Sequence, residues 1–375
     1  MDSTKYQINE VNAWNGWDQL KQVVLGNCYE PEFFEDLGDH KLRDLLQQIL
    51  YETHEDLTGI KNTLEKLGVE VIQAPRNAIS ELSNDVVSNN ICDSNEVQGI
   101  PKPCLTPRDH YITLGNKLLF TALHRQETRD GTMFNPDCMD MFFQEQWDLY
   151  QDGKISQGPI NYTFESKHPI RDKFMFPAPT IHRVGNKLII DQQDWSNISD
   201  IILKRYPEFT GANIAVGGHT DGSMNLPKPG LVVCAPWMGP KDFKDTLPGW
   251  DVCVIKDPHY MKGDIGSWEK ESHITKGKWW HPEAKSNPEL VNFVEDWLTN
   301  WVGFAEESVF EVNMLSVNQS TILSLNHQPE VHKELEKHGI EPIYCRFRHR
   351  NFWDGGLHCL TLDTVREGGQ EDYGV

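Results

Sequence analysis

The feature that most constrains the fold is a repeated pattern of helix end, glycine and strand. Two stretches nearly copy each other, "LEKLGVEVI" at residues 64 to 72 and "LEKHGIEPI" at residues 335 to 343. Each predicts the end of a helix, a terminating glycine and a strand with alternating apolar residues. The run "LPGWDVCVI" at residues 247 to 255 has the same glycine-then-strand ending. The same kind of unit therefore recurs along the chain.

A second repeat predicts β-hairpins. "LGNKLLF" at residues 114 to 120 and "VGNKLII" at residues 184 to 190 each place Gly-Asn between two apolar runs, which is a strong hairpin signal. "PGLVVCA" at residues 229 to 235 and "SVNQSTILSL" at residues 316 to 325 fit similar hairpins. Apolar residues at helical spacing predict amphipathic helices over 41–67, 195–206 and 290–302.

These elements combine into a unit of hairpin, helix and strand, ββαβ, which occurs roughly four or five times. Repeated units of this size favour a closed ring of like α/β modules over a Rossmann sheet. The centre of such a ring is the natural pocket, because loops from every unit converge there. An ordinary mixed α/β sheet, with coincidental repeats, is the alternative that the pattern leaves open.

Composition narrows the class of protein. The chain has 375 residues and a formal net charge of −21, which argues against nucleic acid or an anionic membrane as a partner and agrees with a cationic substrate. None of its apolar runs approaches the length of a membrane span, and its polar start is unlike a signal peptide. The eight cysteines form no CxxC pair, so we expect reduced thiols in the cytoplasm and no zinc site.

Three predicted strand edges carry reactive side chains. Asp109 follows a proline at the start of a strand, His219 and Asp221 lie two residues apart between glycines, and Cys359 follows paired glycines. In extended backbone, His219 and Asp221 would share a face. Each residue also has an ordinary interpretation: a turn aspartate, a hydrogen-bonded loop histidine, and a cysteine in the apolar core. Together they could activate a thiol beside carboxylates that bind a cation.

Four motifs occur in order along the chain: "WNGWD" at residues 14 to 18, "PRD" at 107 to 109, "HTD" at 219 to 221, and "GGLHC" at 355 to 359. In this set the chain resembles the amidinotransferases, typified by arginine:glycine amidinotransferase. The resemblance covers essentially the whole chain. It implies a single domain over 1–375 with the family's five-bladed α/β propeller, the pentein fold, in agreement with the repeats.

The resemblance also implies roles for the site residues. Cys359 matches the family's nucleophile, His219 its general acid/base, and Asp109 and Asp221 its guanidinium-binding carboxylates. The implied reaction is ping-pong: L-arginine donates an amidino group to Cys359, ornithine leaves, and an acceptor amine such as glycine then takes the group. No cofactor and no metal are implied. A homodimer is a further expectation, and the partners are small molecules.

Two positions depart from the family pattern: Thr180, and Met238, where the family has an arginine for a substrate carboxylate. Thr180 stands where the family has an aspartate that orients the catalytic histidine, and a hydroxyl cannot stabilise an imidazolium as a carboxylate does. Glu306 and Glu307 could supply that charge or bind a cationic acceptor, so Glu307 is included among the substrate-binding residues. A guanidine hydrolase of the deiminase type, using the same cysteine, and a catalytically silent propeller are the alternative interpretations.

Overall fold

The structure is a computed structural model that describes residues 11–73, 103, 105–109, 111–120, 126–127, 133–134, 161–163, 178–191, 198–216, 219–256, 287–298, 301–302, 311–325 and 329–374. Within these residues the strands are β1 (Leu20–Leu25), β2 (Glu70–Gln73), β3 (Tyr111–Leu114), β4 (Lys117–Phe120), β5 (Gln126–Glu127), β6 (Met133–Phe134), β7 (Asn161–Thr163), β8 (Ile181–Val184), β9 (Lys187–Asp191), β10 (Thr210–Ile214), β11 (Met224–Lys228), β12 (Leu231–Cys234), β13 (Asp251–Val254), β14 (Leu315–Asn318), β15 (Thr321–Ser324), β16 (Glu341–Tyr344) and β17 (Thr361–Arg366).

The longer described helices are α1 (His40–Lys66), α2 (Ile198–Arg205), α3 (Pro288–Trp297) and α4 (Pro329–Lys337). Short helical turns span Thr220–Ser223, Pro240–Phe243 and Arg350–Trp353, and 3-10 turns span Pro31–Phe34, Pro107–Asp109 and Ala178–Thr180. The helices predicted over 41–67, 195–206 and 290–302 are therefore present. None of the helices in the described ranges is both long enough and apolar enough to cross a membrane.

Five three-stranded sheets share one topology. Their strand orders are β17-β1-β2, β3-β4-β7, β10-β9-β8, β11-β12-β13 and β14-β15-β16. In each sheet the middle strand pairs antiparallel with one neighbour and parallel with the other. Helices α1, α2 and α4 and the turn Pro240–Phe243 lie between the last two strands of four sheets, which confirms the predicted ββαβ unit there. The chain thus forms the expected α/β class of fold.

The Gly-Asn hairpins form where they were predicted. Gly115 and Gly185 take the first turn position with φ of 59° and 64°, a conformation that glycine adopts without strain. A Cβ at Gly185 would lie 2.1 Å from the backbone oxygen of Glu371, and one at Gly115 would lie 2.7 Å from the Trp14 ring. Both turns are therefore covered closely by segments from the two ends of the chain.

One sheet is assembled from distant parts of the chain. β17 pairs antiparallel with β1, with Val23 opposite Asp363 and Leu25 opposite Thr361. The other four sheets instead begin with two consecutive strands. This sheet belongs to the largest hydrophobic cluster, in which α1 and α3 also bury their apolar faces. Cys359 lies two residues before β17, so this long-range pairing anchors the segment that carries it.

Contacts between the described residues link neighbouring sheets, and five of them follow the order of the sheets. β17 contacts β3, β11 contacts β14, β14 contacts β1, and the turn Thr220–Ser223 contacts β8. The fifth link is a hydrogen bond of 3.0 Å from the Arg183 side chain on β8 to the carbonyl oxygen of Thr113 on β3. Each of the five sheets therefore has contacts with two others.

A buried carboxylate on β17 holds three arginines from different segments. One oxygen of Asp363 accepts a hydrogen bond from Arg108 at 2.8 Å, and the other accepts from Arg183 at 2.5 Å and Arg366 at 2.6 Å. Burial opposes ionisation of Asp363, but the three guanidinium groups hold its pKa well below the usual range. This cluster ties the segment before β3, strand β8 and strand β17 together.

Candidate active site

The segments that lead into the first strand of each sheet carry the polar residues of the site. Asp109 precedes β3, Thr180 precedes β8, Asp221 precedes β11, Asn313 precedes β14 and Cys359 precedes β17, each by three residues or fewer. Since the five sheets share one topology, these positions are structurally equivalent. The sheet repeat therefore presents one polar side chain from each unit.

The sulfur of Cys359 lies among polar groups. The side-chain amide of Asn313 donates a hydrogen bond to Sγ at 3.0 Å, and Sγ lies 3.5 Å from Oδ2 of Asp221. The side-chain oxygen Oδ1 of Asn313 also accepts a hydrogen bond from the backbone N–H of Cys359 at 3.0 Å. Only 7% of Cys359 is exposed. The residue is buried as the core interpretation requires, but its sulfur is held in a polar site.

Electrostatics keep this thiol protonated. Burial raises the pKa of Cys359 well above its usual value, and the charges of Asp221 and Asp109 raise it further. The hydrogen bond from Asn313 acts in the opposite direction. Burial also raises the pKa of Cys345 to about 11. A raised thiol pKa is therefore not specific to Cys359. What distinguishes Cys359 from Cys345 is that carboxylates contribute to the rise, because a cation bound to those carboxylates would lower the thiol pKa again.

Asp221 has one oxygen in use and one unpaired. Oδ2 accepts a hydrogen bond from Nδ1 of His358 at 2.8 Å, whereas Oδ1 is buried with no hydrogen-bond partner in the described part of the chain. Burial would raise the pKa of Asp221, but the hydrogen bond from His358 and the charge of Arg108 hold it well below its usual value. A buried, ionised oxygen without a donor is costly unless a ligand pairs with it.

Two histidines stack beside this carboxylate. The rings of His182, on β8, and His358 lie 6.1 Å apart at 26°. Burial lowers the pKa of His182 to about 3, with a further contribution from His358, so His182 is neutral at physiological pH. Burial and Arg108 also lower the pKa of His358. Nε of Arg108 donates to the carbonyl oxygens of His358 and Thr361, each at 2.9 Å, on either side of Cys359.

A cavity of about 30 Å³ lies next to these groups. Residues from the first strands of all five sheets, or from the segments before them, line it together with Gly16: Arg108, Ile112, Ala178, Pro179, Ile181, His182, Arg183, Thr220, Asp221, Asn225, Leu226, Met314, Ser316 and His358. The site therefore opens onto a polar space between the sheets, where the ring model places its pocket.

The chain was compared with known proteins. No protein-family model matches it. Inosamine-phosphate amidinotransferase 1 of Streptomyces griseus is 22% identical over 394 residues, covering 97% of this chain and 99% of the relative. Mitochondrial glycine amidinotransferase of Xenopus tropicalis is 21% identical over 416 residues, covering 100% and 87%. Over nearly its whole length the chain is therefore similar to amidinotransferases. The resemblance that the sequence motifs indicated, and with it the transferase class, is confirmed.

Solved structures show the fold of this chain. SxtG, an amidinotransferase of the saxitoxin biosynthetic pathway from Microseira wollei, aligns with a TM-score of 0.58 at 17% identity and covers 97% of this chain and 99% of that one. StrB1, the inosamine-phosphate amidinotransferase of Streptomyces griseus, gives the same TM-score and coverage at 19% identity. The chain has the α/β pentein fold of these proteins.

The structure brings several of the predicted site residues together. Asp221 contacts Cys359 directly, while Asp109 and His219 act on the two through their charges. The predicted extended geometry of His219 and Asp221 is wrong. His219 precedes the helical turn Thr220–Ser223, and its carbonyl oxygen accepts from the N–H of Gly222, so Asp221 enters the site from a tight turn.

Thr180 and the two glutamates considered with it, Glu306 and Glu307, have different outcomes. Thr180 is buried at the end of the 3-10 turn Ala178–Thr180, and the neighbouring Pro179 carbonyl accepts a hydrogen bond from the hydroxyl of Thr220. The segment that carries Thr180 thus packs against the turn between His219 and Asp221. Glu306 and Glu307 lie outside the described residues, so the role given to Glu307 stays a prediction.

Sequence reasoning missed Asn313, and it gave His358 no role beyond its place in the motif. Asn313 stands in "FEVNMLSVN", where no glycine or histidine marks a site. Its position two residues before β14, equivalent to Asp109 before β3, was the available signal. A metal-compatible group in the described residues, Asp251, Glu334 and His338, lies on β13 and at the end of α4 and includes no residue of this site.

Proposed function

We propose that the chain moves an amidino group from L-arginine to an acceptor amine through an amidino-cysteine on Cys359, releasing ornithine. The observation that carries the proposal is the buried sulfur beside an ionised carboxylate whose second oxygen has no partner in the described residues. A guanidinium, planar and cationic, matches such a pair of groups. The inosamine-phosphate, glycine and lysine amidinotransferases among its relatives support the same class of reaction.

The proposal includes a five-bladed propeller. Five sheets of equal topology, with contacts from each to two others, support a closed ring. In that arrangement the five segments that precede the first strands meet at one end of the ring. Asp109 and Asp221 then hold the guanidinium from two sides, and Asn313 and Cys359 follow Asp221 around the ring before it returns to Asp109. One domain over 1–375 follows from the same ring.

Binding of the donor prepares the nucleophile. The guanidinium brings a positive charge to the two carboxylates that raise the pKa of Cys359, and so offsets their effect on the thiol. Sγ gives up its proton to His219, which acts as general base in this step, and the Asn313 amide stabilises the thiolate. The thiolate attacks the guanidinium carbon, which forms a C–S bond and a tetrahedral intermediate.

Collapse of that intermediate breaks the bond between carbon and the side-chain nitrogen of arginine. His219, as general acid, protonates this nitrogen, and ornithine leaves as an amine. The amidino group remains on sulfur, still paired with the carboxylates. An acceptor amine attacks the same carbon, His219 takes its proton, the C–S bond breaks, and the product guanidine and the thiol are restored. Water is excluded because the site is buried.

Intact-protein mass spectrometry tests this function. The protein is incubated with L-arginine alone, and then with glycine, lysine or hydroxylamine as probe acceptors. We expect one amidino group on Cys359, stoichiometric ornithine and no citrulline, and then loss of the adduct to the amine that the enzyme accepts.

The other outcomes identify the alternatives. Citrulline without an acceptor would show a hydrolase and overturn the transferase proposal. Neither adduct nor ornithine would show that arginine is not the donor. A Cys253→Ala protein, which lacks a thiol on β13 away from the site, is the matched control and should form the adduct as the unaltered protein does.

A further inference from the structure

The proposed mechanism leaves the imidazole of His358 without a role. His358 directly precedes Cys359, and its Nδ1 donates to Oδ2 of Asp221 at 2.8 Å. The same oxygen lies 3.5 Å from Sγ of Cys359. One oxygen of the substrate-binding carboxylate is therefore occupied by a protein donor, and the other, Oδ1, is left for a ligand.

We propose that His358 is a positioning residue: in its neutral form it holds Asp221 with Oδ1 free for the guanidinium, and in its protonated form it competes with the guanidinium for the same carboxylate. This inference rests on the proposed function, because it concerns how the donor binds to that site.

Two contacts fix the imidazole of His358, and a third fixes its backbone. Asp221 accepts from Nδ1 and the His182 ring stacks on the imidazole, while Arg108 Nε donates to the backbone carbonyl of the same residue. Only 16% of the side chain is exposed. A buried imidazole held in this way can orient a carboxylate, because its own rotation is restricted.

The charge state of His358 decides which group neutralises Asp221. A neutral imidazole gives one hydrogen bond and leaves the carboxylate its full charge, whereas an imidazolium forms a buried ion pair with it. The groups that act on His358 are Arg108 before β3, Asp221 before β11, Asp363 on β17 and, stacked on it, His182 on β8. Burial and Arg108 lower the pKa of His358 against the two carboxylates, so the neutral form prevails at neutral pH.

Two substitutions separate the hydrogen bond from the titration. In His358→Asn the amide nitrogen takes a place similar to Nδ1 and cannot be protonated. In His358→Leu the donor is lost, so the buried carboxylate of Asp221 takes up a proton more readily, and the guanidinium must displace it. At neutral pH, we expect the His358→Asn protein to bind arginine about as tightly as the parent. The His358→Leu protein should bind arginine about tenfold or more weakly.

The experiment measures the Kd for L-arginine by calorimetry in a Cys359→Ser protein, which binds the donor but forms no adduct, between about pH 8 and pH 5. Because the pKa of His358 is lowered, the affinity with His358 present should stay level near neutral pH and fall only below the usual imidazole pKa of about 6.5, as His358 is protonated. With His358→Asn it should stay level. The fall should persist in a His219→Asn protein, because His219 is the other histidine that acts on Asp221.

Each outcome decides the inference. The inference is wrong if the His358→Leu protein binds arginine as tightly as the parent, or if the affinity of the His358→Asn protein still falls at low pH. Either result leaves the proposed function standing. If no protein binds arginine at any pH, the donor assignment and this inference both fail. Should the Leu protein not fold, the pH comparison between His358 and Asn is sufficient.

Discussion

The side-chain amide of Asn313 donates to the sulfur of Cys359 at 3.0 Å, and its carbonyl oxygen accepts from the backbone N–H of the same cysteine, also at 3.0 Å. The two residues precede the first strands of different sheets. The Asn313 side chain thus holds both the backbone and the sulfur of Cys359, and it links the two sheets at the site.

Replacement of Asn313 should slow the first half of the reaction. Asn313→Ala removes a hydrogen bond to the developing thiolate, so we expect ornithine release at saturating arginine to fall about 10- to 100-fold. Asn313→Asp should be slower still, because a third carboxylate beside the sulfur raises the thiol pKa. Single-turnover ornithine release measures both, and equal rates for Asn, Ala and Asp would show that this contact has no catalytic role.

Loss of the sulfur should abolish the adduct. In Cys359→Ala we expect no amidino adduct and less than about a thousandth of the parental ornithine release, which is typical for a lost nucleophile. Thermal unfolding of the variant checks that the fold is intact. Greater residual activity in a folded protein would contradict covalent catalysis by Cys359.

Neutralising either Asp109 or Asp221 should increase the reactivity of the Cys359 thiol and decrease the affinity for arginine. Asp221→Asn and Asp109→Asn each remove a negative charge that raises the pKa of Cys359, so alkylation by iodoacetamide at neutral pH should become faster. The same variants should bind arginine about tenfold or more weakly, because a charge-assisted pair is lost.

The parent protein provides the reference for this test. Since its thiol pKa is raised, its alkylation rate should increase steadily from about pH 7 to pH 10. A parental thiol that already reacts fully at pH 7, or variants that bind arginine unchanged, would contradict the assignment of the carboxylates.

The three-arginine cluster predicts a pH-dependent loss of stability. Asp363→Asn leaves three buried guanidinium groups without their carboxylate, so unfolding should need about 3–5 kcal/mol less. Because the folded pKa of Asp363 is lowered, its stabilisation is present above the unfolded pKa of about 4 and is lost as the pH falls through the folded pKa. The gap between parent and variant should therefore persist down to about pH 5 and narrow only in stronger acid.

Urea unfolding at several pH values measures that gap. Asp372→Asn, at an exposed carboxylate near the end of the chain, is the matched control and should change the stability by less than about 0.5 kcal/mol. An Asp363→Asn protein as stable as the parent would show that the arginines do not depend on this charge.

The local parts of the fold were predictable because their signals are local. Gly115 and Gly185 mark hairpin turns, and Gly68 and Gly339 end helices with φ of 79° and 72°, so neighbouring residues alone define these elements. The pairing of β17 with β1 was not predicted, because no neighbouring residue indicates a partner at the other end of the chain.

The candidate site likewise contains residues that local sequence motifs predicted and one residue that they did not. Cys359, Asp109 and Asp221 were found because glycine, proline and histidine flank them in recognisable motifs. Asn313 has no such flanking residues, and its importance depends on a contact between sheets. The geometry of Asp221 was predicted as extended because alternation was assumed, whereas the short turn at Thr220–Ser223 redirects the chain.

The pairing of β17 with β1 also has a consequence for biosynthesis. A ribosome delivers β1 early and β17 only after every other described strand, so during translation one edge of β1 waits without its partner. Cys359, the proposed nucleophile, arrives with that same last strand. Nascent chains therefore lack this thiol, and a product of premature termination exposes an unpaired strand edge by which chaperones and proteases can recognise it.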